Sequence, residues 1–325
     1  MKLNAVGARS APKRDWLTSR WLVQRAALAA GAVVIAITGL AAQGGGQAQP
    51  EVKVTTTKFG NNFYAIDGQG GRAGILVGPD GVFMVDTQFP QVTDKIVAAI
   101  RQITDRPVRF VVNTHVHGDH TGGNENFAKM GATILARPML RQRLATPPPP
   151  APGGNPVAPA PPIALPVVTY DTRTIVHMNG EAIELVPLPL SHTDGDTAVR
   201  FPVANVVMTG DVFRSIGYPN IDRNNGGSIK LIDSLGILAD LAGPATTVIP
   251  GHGDITNRAA IVAHRDMAVA VRDRVAKMIA QGMTQEQIVA AKPTKDYDER
   301  VGNAAMSADR FVGQLYAELR ATGTR

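Results

Sequence analysis

The sequence contains no cysteine. A disulfide, a zinc–thiolate site and a thiol nucleophile are therefore all excluded. The absence of cysteine also means that cysteine usage says nothing about the cellular compartment of the protein. Any site for a transition metal in this chain must be built from histidine nitrogens and carboxylate oxygens.

A basic surface is also lacking in most of the chain. Of the 33 basic and 27 acidic residues, 6 basic and 1 acidic residue precede residue 49, which leaves 27 and 26 for the remainder. The early basic residues are Lys2, Arg9, Lys13, Arg14, Arg20 and Arg25. The body of the protein therefore has no cationic field for a polyanion, and we expect a small-molecule substrate and no nucleic-acid partner.

The basic N-terminal segment is followed by an uncharged apolar run over residues 26–42. Small residues at Gly46 and Ala48 then fit the two positions that a signal peptidase reads. Residues 1–48 are therefore expected to be a signal peptide, and the alternative is an uncleaved membrane anchor. With either outcome the positive charges precede the apolar run, so we expect the protein to be exported, into a bacterial periplasm.

The remaining residues predict an α/β protein. Apolar strand-like runs alternate with segments of helical spacing over residues 50–256, which we expect to form the catalytic domain. A proline-rich insertion at 146–166 interrupts this region and is expected to be an extended loop without helix or central strand. Helices over 257–325 are expected to pack on the same domain. The predicted helices are 91–103, 124–130, 228–241, 258–281, 284–291 and 308–321.

Three histidines and an aspartate cluster within six residues, in His115-x-His117-x-Asp119-His120. The segment follows an apolar strand over 108–113, so it is expected to be a loop at the end of a strand. Such a loop can present several nitrogen and oxygen ligands to one cavity. Imidazole and carboxylate without thiolate suit zinc, and iron or manganese as well.

Three further candidate ligands each follow an apolar strand. They are His192 after the run 183–190, Asp211 after 206–208 and His252 after 246–249. Several strand ends that deliver ligands to one edge are typical of sites in α/β folds. His177 and His264 lack such a context, so we expect them to be exposed or structural.

The string Thr-His-Val-His-Gly-Asp-His-Thr-Gly-Gly at 114–123, followed by His192, Asp211 and Gly251-His252-Gly253, resembles the metallo-β-lactamase superfamily. Asp86 would be the first motif of that family. The resemblance implies a four-layered αββα sandwich, here with additional C-terminal helices. It also implies that His115, His117 and His192 hold one metal, that Asp119, His120 and His252 hold a second, and that Asp211 bridges both.

The same resemblance assigns supporting roles to other residues. Asp86 and Asp196 would orient ligand imidazoles, and Arg214 would grip a substrate carboxylate. Asp119 would act catalytically, because it would accept a hydrogen bond from the attacking nucleophile. The bridging aspartate is similar to that of glyoxalase II and the lactonases, whereas the best-known lactamases place a cysteine there.

We therefore expect an exported hydrolase with two zinc ions that cleaves an amide, ester, lactone or thioester with metal-bound hydroxide. β-Lactamase activity stays open despite the missing cysteine, and iron or manganese could replace zinc. Two alternatives remain at this point. One is an oxygenase with a single iron that acts on a persulfide, and the other is a non-catalytic periplasmic metal-binding protein.

Overall fold

The computed structural model describes residues 51–150 and 153–322. The signal peptide predicted at 1–48 lies outside these residues. None of the helices in the described ranges is long and apolar enough to cross a membrane.

The strands form two sheets. The first contains β1 to β7 in the order of the sequence, antiparallel from β1 to β4 and parallel from β4 to β7. Its strands are Thr55–Phe59, Phe63–Asp67, Ala73–Gly78, Gly81–Val85, Val108–Val112, Thr133–Ala136 and Val168–Thr169. The second sheet has the order β12-β11-β10-β9-β8, with β11 and β12 parallel and the other pairs antiparallel. These strands, from β8 to β12, are Thr174–Met178, Glu181–Pro187, Thr197–Phe201, Val206–Met208 and Thr247–Ile249.

The helices occupy the gaps between strands and the C-terminal region. From α1 to α9 they are Thr93–Arg101, Gly118–Thr121, Asn124–Lys129, Pro138–Ala145, Leu231–Leu241, Arg258–Ala280, Gln285–Ala290, Asp298–Val301 and Ala304–Thr322. Short 3-10 turns lie at Pro90–Val92, Pro162–Ala164, Arg223–Asn225 and Lys295–Tyr297. The long C-terminal helix α6 packs against both α5 and α9.

Successive side chains of a strand point to opposite faces of the sheet, and this alternation produces the layers. In β4, Phe83 and Val85 face the second sheet, where they meet residues such as Val199 in the core between the sheets. Met84 points to the opposite face of β4 and packs with Ile96 of α1. This period of two places apolar side chains on both faces of the sheet.

A third apolar cluster covers the outer face of the second sheet, where Val248 of β12 packs with Leu235 of α5 and with Phe311 of α9. Helices therefore cover the outer faces of both sheets. The predicted αββα arrangement with extra C-terminal helices is confirmed.

Several parts of the structure depart from the prediction. The short helices α2 and α8 were not predicted, and α2 lies in a segment that was expected to be a loop. Helix α4 and strand β7 flank the proline-rich insertion and were not expected from the sequence. The insertion itself contains a 3-10 turn at Pro162–Ala164, although it was expected to have no helix. Proline in the first turn of a helix costs little, because the N–H that it lacks would have no partner there.

Candidate metal centre

The seven predicted ligands lie together where strands of both sheets end. His115 to His120 follow β5, while His192, Asp211 and His252 follow β9, β11 and β12. Their donor atoms fall into three overlapping groups, and the atoms within each group lie within 4.8 Å of one another. The groups are His115, His117 and His192; His115, His120 and Asp211; and Asp119, His120 and His252.

Three imidazole nitrogens meet in the first group. His117 Nδ1 lies 3.1 Å from His115 Nε2 and 3.0 Å from His192 Nε2. These rings stand nearly perpendicular to one another, with the planes of His115 and His117 at 84°. The nitrogens therefore point towards one common position rather than stacking face to face.

The other ring nitrogens of this group contact acceptors, which determines where the protons are. His192 Nδ1 lies 2.7 Å from the carbonyl oxygen of Asn220, an atom that can only accept a hydrogen bond. His117 Nε2 lies 2.7 Å from Asp222 Oδ2. Since a neutral imidazole carries one N–H, the converging nitrogens of His117 and His192 present lone pairs when these two rings are neutral.

Asp86 determines the proton positions of two further imidazoles. Its Oδ2 lies 2.7 Å from His120 Nδ1 and also accepts the hydroxyl hydrogen of Thr114, at 2.7 Å. Because the Thr114 hydroxyl donates to Asp86, it accepts the hydrogen bond from His115 Nδ1 at 3.1 Å. His115 Nε2 then also carries a lone pair, and His120 Nε2 does so when that ring is neutral.

The backbone of Asp86 adopts an unusual conformation that places its carboxylate between His120 and Thr114. Asp86 has a φ of 58°, a left-handed conformation that non-glycine residues rarely adopt. Its Oδ1 also accepts a hydrogen bond from the Thr114 backbone N–H at 2.8 Å. Three donors on one buried carboxylate hold it in place, and such networks offset the cost of an unusual φ.

Protonation of His115 and His192 does not relieve the repulsion between lone pairs in the first group. Burial lowers the pKa of His115 well below its ordinary value, and it lowers the pKa of His192 to about 4. Both rings are therefore neutral at pH 7. A cation at their common position would accept all three lone pairs.

The second and third groups share His120, and some of their buried polar atoms lack a hydrogen-bond partner among the described residues. His120 Nε2 and Asp211 Oδ1 are buried, have no hydrogen-bond partner among the described residues, and lie 3.5 Å apart. Asp119 Oδ2 lies 3.7 Å from His120 Nε2 and 3.0 Å from His252 Nε2. Since buried polar atoms are normally paired, these orphaned donors fit a second metal ion. Nitrogen and oxygen donors without sulfur suit zinc, iron or manganese.

Two glycines pack directly on the buried atoms of this second group. A Cβ on Gly71 would clash with the His120 ring, and one on Gly251 would clash with Asp211 Oδ1 and with the same ring. Gly71 N donates to the Asp119 carbonyl at 3.0 Å. The backbone of both loops thus approaches the centre more closely than any side chain would allow.

The C-terminal helix α9 holds the loop that carries Asn220 and Asp222. Gln314 Nε2 donates to the carbonyl of Ile221 at 2.8 Å, and Ile221 N donates to Gln314 Oε1 at 3.2 Å. Tyr218, in the same loop, stacks on Phe311 of α9 with ring centroids 6.0 Å apart. The C-terminal helices thus support the acceptors that orient His117 and His192.

The other predicted residues have varied surroundings. Asp86 contacts the ligand ring of His120, as expected of it. Asp196 does not contact an imidazole; its two oxygens accept hydrogen bonds from Thr193 N and Thr193 Oγ1, so it supports the backbone beside His192. Arg214 Nε lies 3.9 Å from Asp211 Oδ2 and is buried without a hydrogen-bond partner.

The two remaining histidines lie apart from the centre. His177 is exposed on β8. His264 packs edge-on against Phe213, and its Nε2 is buried without a partner. Burial and the nearby Arg214 charge lower the pKa of His264 to about 4, so this ring is neutral.

Asp222, Asn220 and Thr114 contact histidines of this centre, and none of the three was predicted as a site residue from the sequence. Asp222 lies 105 positions from His117 and ends no apolar strand. An Asp-Arg-Asn-Asn sequence usually signals a turn, and Asp222 does make one, since its Oδ1 accepts from Asn224 N and Asn225 N. Of these three residues, only Thr114 could have been identified from the sequence, because it is adjacent to the histidine motif.

The Asp222→Ala variant should bind zinc about 10- to 100-fold more weakly than the wild type, because His117 would lose the acceptor that orients its ring. The dissociation constant can be measured by competition with a chromogenic chelator. Asp240→Ala, which removes an exposed carboxylate from α5, is the matched control and should leave the affinity unchanged. Equal affinities for wild type and Asp222→Ala would contradict the role of Asp222.

Zinc binding to the metal-free protein should release protons at pH 7. Burial opposes a charge on His120, but the Asp86 and Asp211 carboxylates outweigh it and raise the pKa of His120 well above its ordinary value. The ring is therefore protonated at pH 7 without metal, and the metal must displace that proton. Calorimetry in buffers of different ionisation enthalpy measures the release, and zinc affinity should fall as the pH is lowered. Binding without proton release would contradict this description of His120.

Comparisons with known proteins agree with the geometry. The structure is similar to a metallo-β-lactamase from Pontibacter korlensis (TM-score 0.57, 17% identity), covering 67% of this chain and 99% of that one. It is similar to the DIM-1 metallo-β-lactamase (TM-score 0.55, 20% identity), with coverage of 67% and 99%. It also resembles a double mutant of the sec-alkyl sulfatase PisA1 (TM-score 0.63, 17% identity), covering 84% of this chain but only 51% of the sulfatase.

These identities are low, so the structural likenesses show the fold alone. The comparison with curated proteins found no match. The family model described as the metallo-beta-lactamase superfamily matches residues 66–252, which contain all seven predicted ligands. The chain therefore belongs to the metallo-β-lactamase superfamily.

Proposed function

We propose that this protein is a hydrolase with two zinc ions that cleaves an amide, ester, lactone or thioester. One observation carries the proposal: a single carboxylate, Asp211, lies near a histidine of the group His115, His117 and His192 and near a histidine of the group Asp119, His120 and His252. Its Oδ2 lies 3.4 Å from His252 Nε2 and 3.9 Å from His192 Nε2. A shared carboxylate between two sets of donors favours a two-metal site over a mononuclear one.

Two zinc ions at these positions would supply Lewis acidity and would lower the pKa of a water molecule to about 7. The side chains of this chain supply the remaining functions. Burial opposes ionisation of Asp211, but His120 and the other imidazoles lower its pKa well below the ordinary value. Asp211 is therefore a carboxylate at every relevant pH, as a bridging ligand must be.

Asp119 is the residue that we expect to position the nucleophile. Burial opposes ionisation of Asp119, but the hydrogen bond from His252 and the charge of His120 lower its pKa below the ordinary value. The side chain is 22% exposed at the opening of the centre, so it can reach substrate and solvent. An ionised Asp119 can accept a hydrogen from the attacking water and orient it towards a carbonyl carbon.

Arg214 is proposed to bind a negatively charged group of the substrate. Its guanidinium lies beside Asp211, and its side chain is 23% exposed. Because the side chain is partly exposed, its guanidinium could form paired hydrogen bonds with a carboxylate or a sulfate. Sulfate esters enter the substrate range to be tested, because one structural neighbour is named a sec-alkyl sulfatase.

We also propose that the protein acts outside the cytoplasm. The support comes from the sequence, in which a basic segment precedes an apolar run and small residues at Gly46 and Ala48. Residues 1–48 would be cleaved as a signal peptide or kept as an anchor, and the catalytic body would be periplasmic. N-terminal sequencing of the protein from a periplasmic extract distinguishes cleavage from anchoring.

The function is tested by turnover and metal content on one sample of purified protein. The substrates are a chromogenic cephalosporin, an acyl-homoserine lactone, a thioester and a secondary alkyl sulfate. We expect cleavage of at least one of them, loss of activity with chelator, recovery with zinc, and two zinc ions per chain. His117→Ala and Asp211→Ala should each lower kcat/KM by a factor on the order of 10³ or more, because each removes a metal ligand.

Three results would count against the proposal. Unchanged turnover in either alanine variant with full metal content would remove the assigned ligands from the reaction. One iron per chain together with oxygen uptake on a persulfide would instead establish the oxygenase alternative. Two bound zinc ions with no turnover of any of these substrate classes would favour a non-catalytic metal-binding protein.

A further inference from the structure

A cavity of about 240 Å³ lies beside His117. Helix α4, the turn at Asn224–Asn225 and residues 116–118 form part of its wall, and the proline-rich insertion forms the rest. We call this cavity the proline recess. The insertion residues that line it include Pro147, Pro148, Pro150, Val157, Ala158 and Ala160.

Hydrogen bonds connect the C-terminal part of the proline-rich insertion, and the residue that follows it, with the rest of the domain. Ala160 N donates to the carbonyl of Leu144 in α4 at 2.9 Å. Asn124 Nδ2 donates to the carbonyl of Ala164 at 3.3 Å, and Val167 N donates to Ile134 O at 2.9 Å. Proline also restricts its own φ, so the segment loses little entropy when it forms a wall.

The charge in the wall of the recess is already paired. Arg143, the one permanently charged side chain in the described lining, lies 2.6 Å from Asp194 through its Nη2. Its Nη1 also donates to the carbonyl of Asn224 at 3.3 Å. No lining cation is therefore left to bind an anion, and the prolines, valine and alanines present apolar surface.

Open space connects the recess with the ligand loop. Gly118 lies between the predicted ligands His117 and Asp119 and lines the recess. Apart from its two chain neighbours and the backbone of its own helix, no described residue has an atom within 4 Å of the position that a Cβ of Gly118 would take. A substrate whose reacting bond is at the centre could therefore extend past Gly118 into the recess without meeting a side chain there.

We propose that the proline recess binds an uncharged, apolar part of the substrate, such as the alkyl chain of an acyl group. This proposal rests on the hydrolase function and narrows it to substrates with an apolar group beside the reacting carbonyl. It gives the insertion a role in specificity. Val157 contributes an exposed apolar side chain, with 70% of its surface accessible, that a bound alkyl chain would cover.

The test uses 4-nitrophenyl acetate, butanoate, hexanoate and octanoate with the zinc-loaded wild-type enzyme. The value of kcat/KM should rise by about fourfold for each methylene that the recess buries. Val157→Asp should lower the ratio of octanoate to acetate kcat/KM about tenfold or more, because a carboxylate is poorly tolerated beside a buried alkyl chain. Val157→Leu should keep the wild-type ratio.

Met306→Asp is the matched control, since Met306 is 76% exposed and lies on α9 outside the lining of the recess. This variant adds the same charge and should leave the ratio unchanged. A ratio that does not rise with chain length in the wild type, or that falls equally in Val157→Asp and Met306→Asp, would overturn the proposal.

A binding measurement keeps this proposal separate from the proposed function. Calorimetry with acetate, butanoate, hexanoate and octanoate measures affinity without turnover. Octanoate should bind more tightly than acetate to wild type and Val157→Leu, and this advantage should be lost in Val157→Asp. If the carboxylates show this pattern while no ester, lactone, thioester or amide is cleaved, the proposed role of the proline recess is supported and the proposed hydrolase function is contradicted. Equal affinities across the series would overturn the recess.

Discussion

The convergence of imidazole lone pairs is the constraint on which the rest of the site depends. Asn220, Asp222 and Thr114 each lie at hydrogen-bond distance from one ring nitrogen of His192, His117 and His115, so the opposite nitrogens of these rings, when neutral, face one another as acceptors. Acceptors at about 3 Å repel one another, and burial prevents His115 and His192 from relieving the repulsion by protonation. A cation at their common position would accept these lone pairs, so we expect metal binding to stabilise the local fold.

The surrounding architecture supports this constraint from several directions. Both sheets end at the centre, and helices on both outer faces support them, so each ligand loop begins on a rigid strand. The left-handed backbone of Asp86 and the missing side chains of Gly71 and Gly251 allow the loops to close around His120. Helix α9 extends the support beyond the family match at 66–252, because Gln314 holds the loop that carries Asn220 and Asp222.

The sequence allowed the layers and the positions of the ligands to be predicted, because both follow from local patterns. Apolar alternation marks the strands, and the histidine motif stands at the end of β5. Asp222 and Gln314 could not be predicted, because their contacts join segments about 90 or more residues apart. Asp196 stands close to His192 in sequence yet turns towards Thr193, so proximity in sequence did not determine its partner. Helix α4 was missed because it leads directly into the proline-rich insertion.

The central claim is that two cations occupy adjacent positions in one constellation of ligands. Anomalous diffraction at the zinc absorption edge, from crystals of zinc-loaded protein, tests it most directly. We expect two strong peaks, one among His115, His117 and His192 and the other among Asp119, His120 and His252, with Asp211 next to both. A single peak, or peaks that avoid the first three histidines, would contradict it.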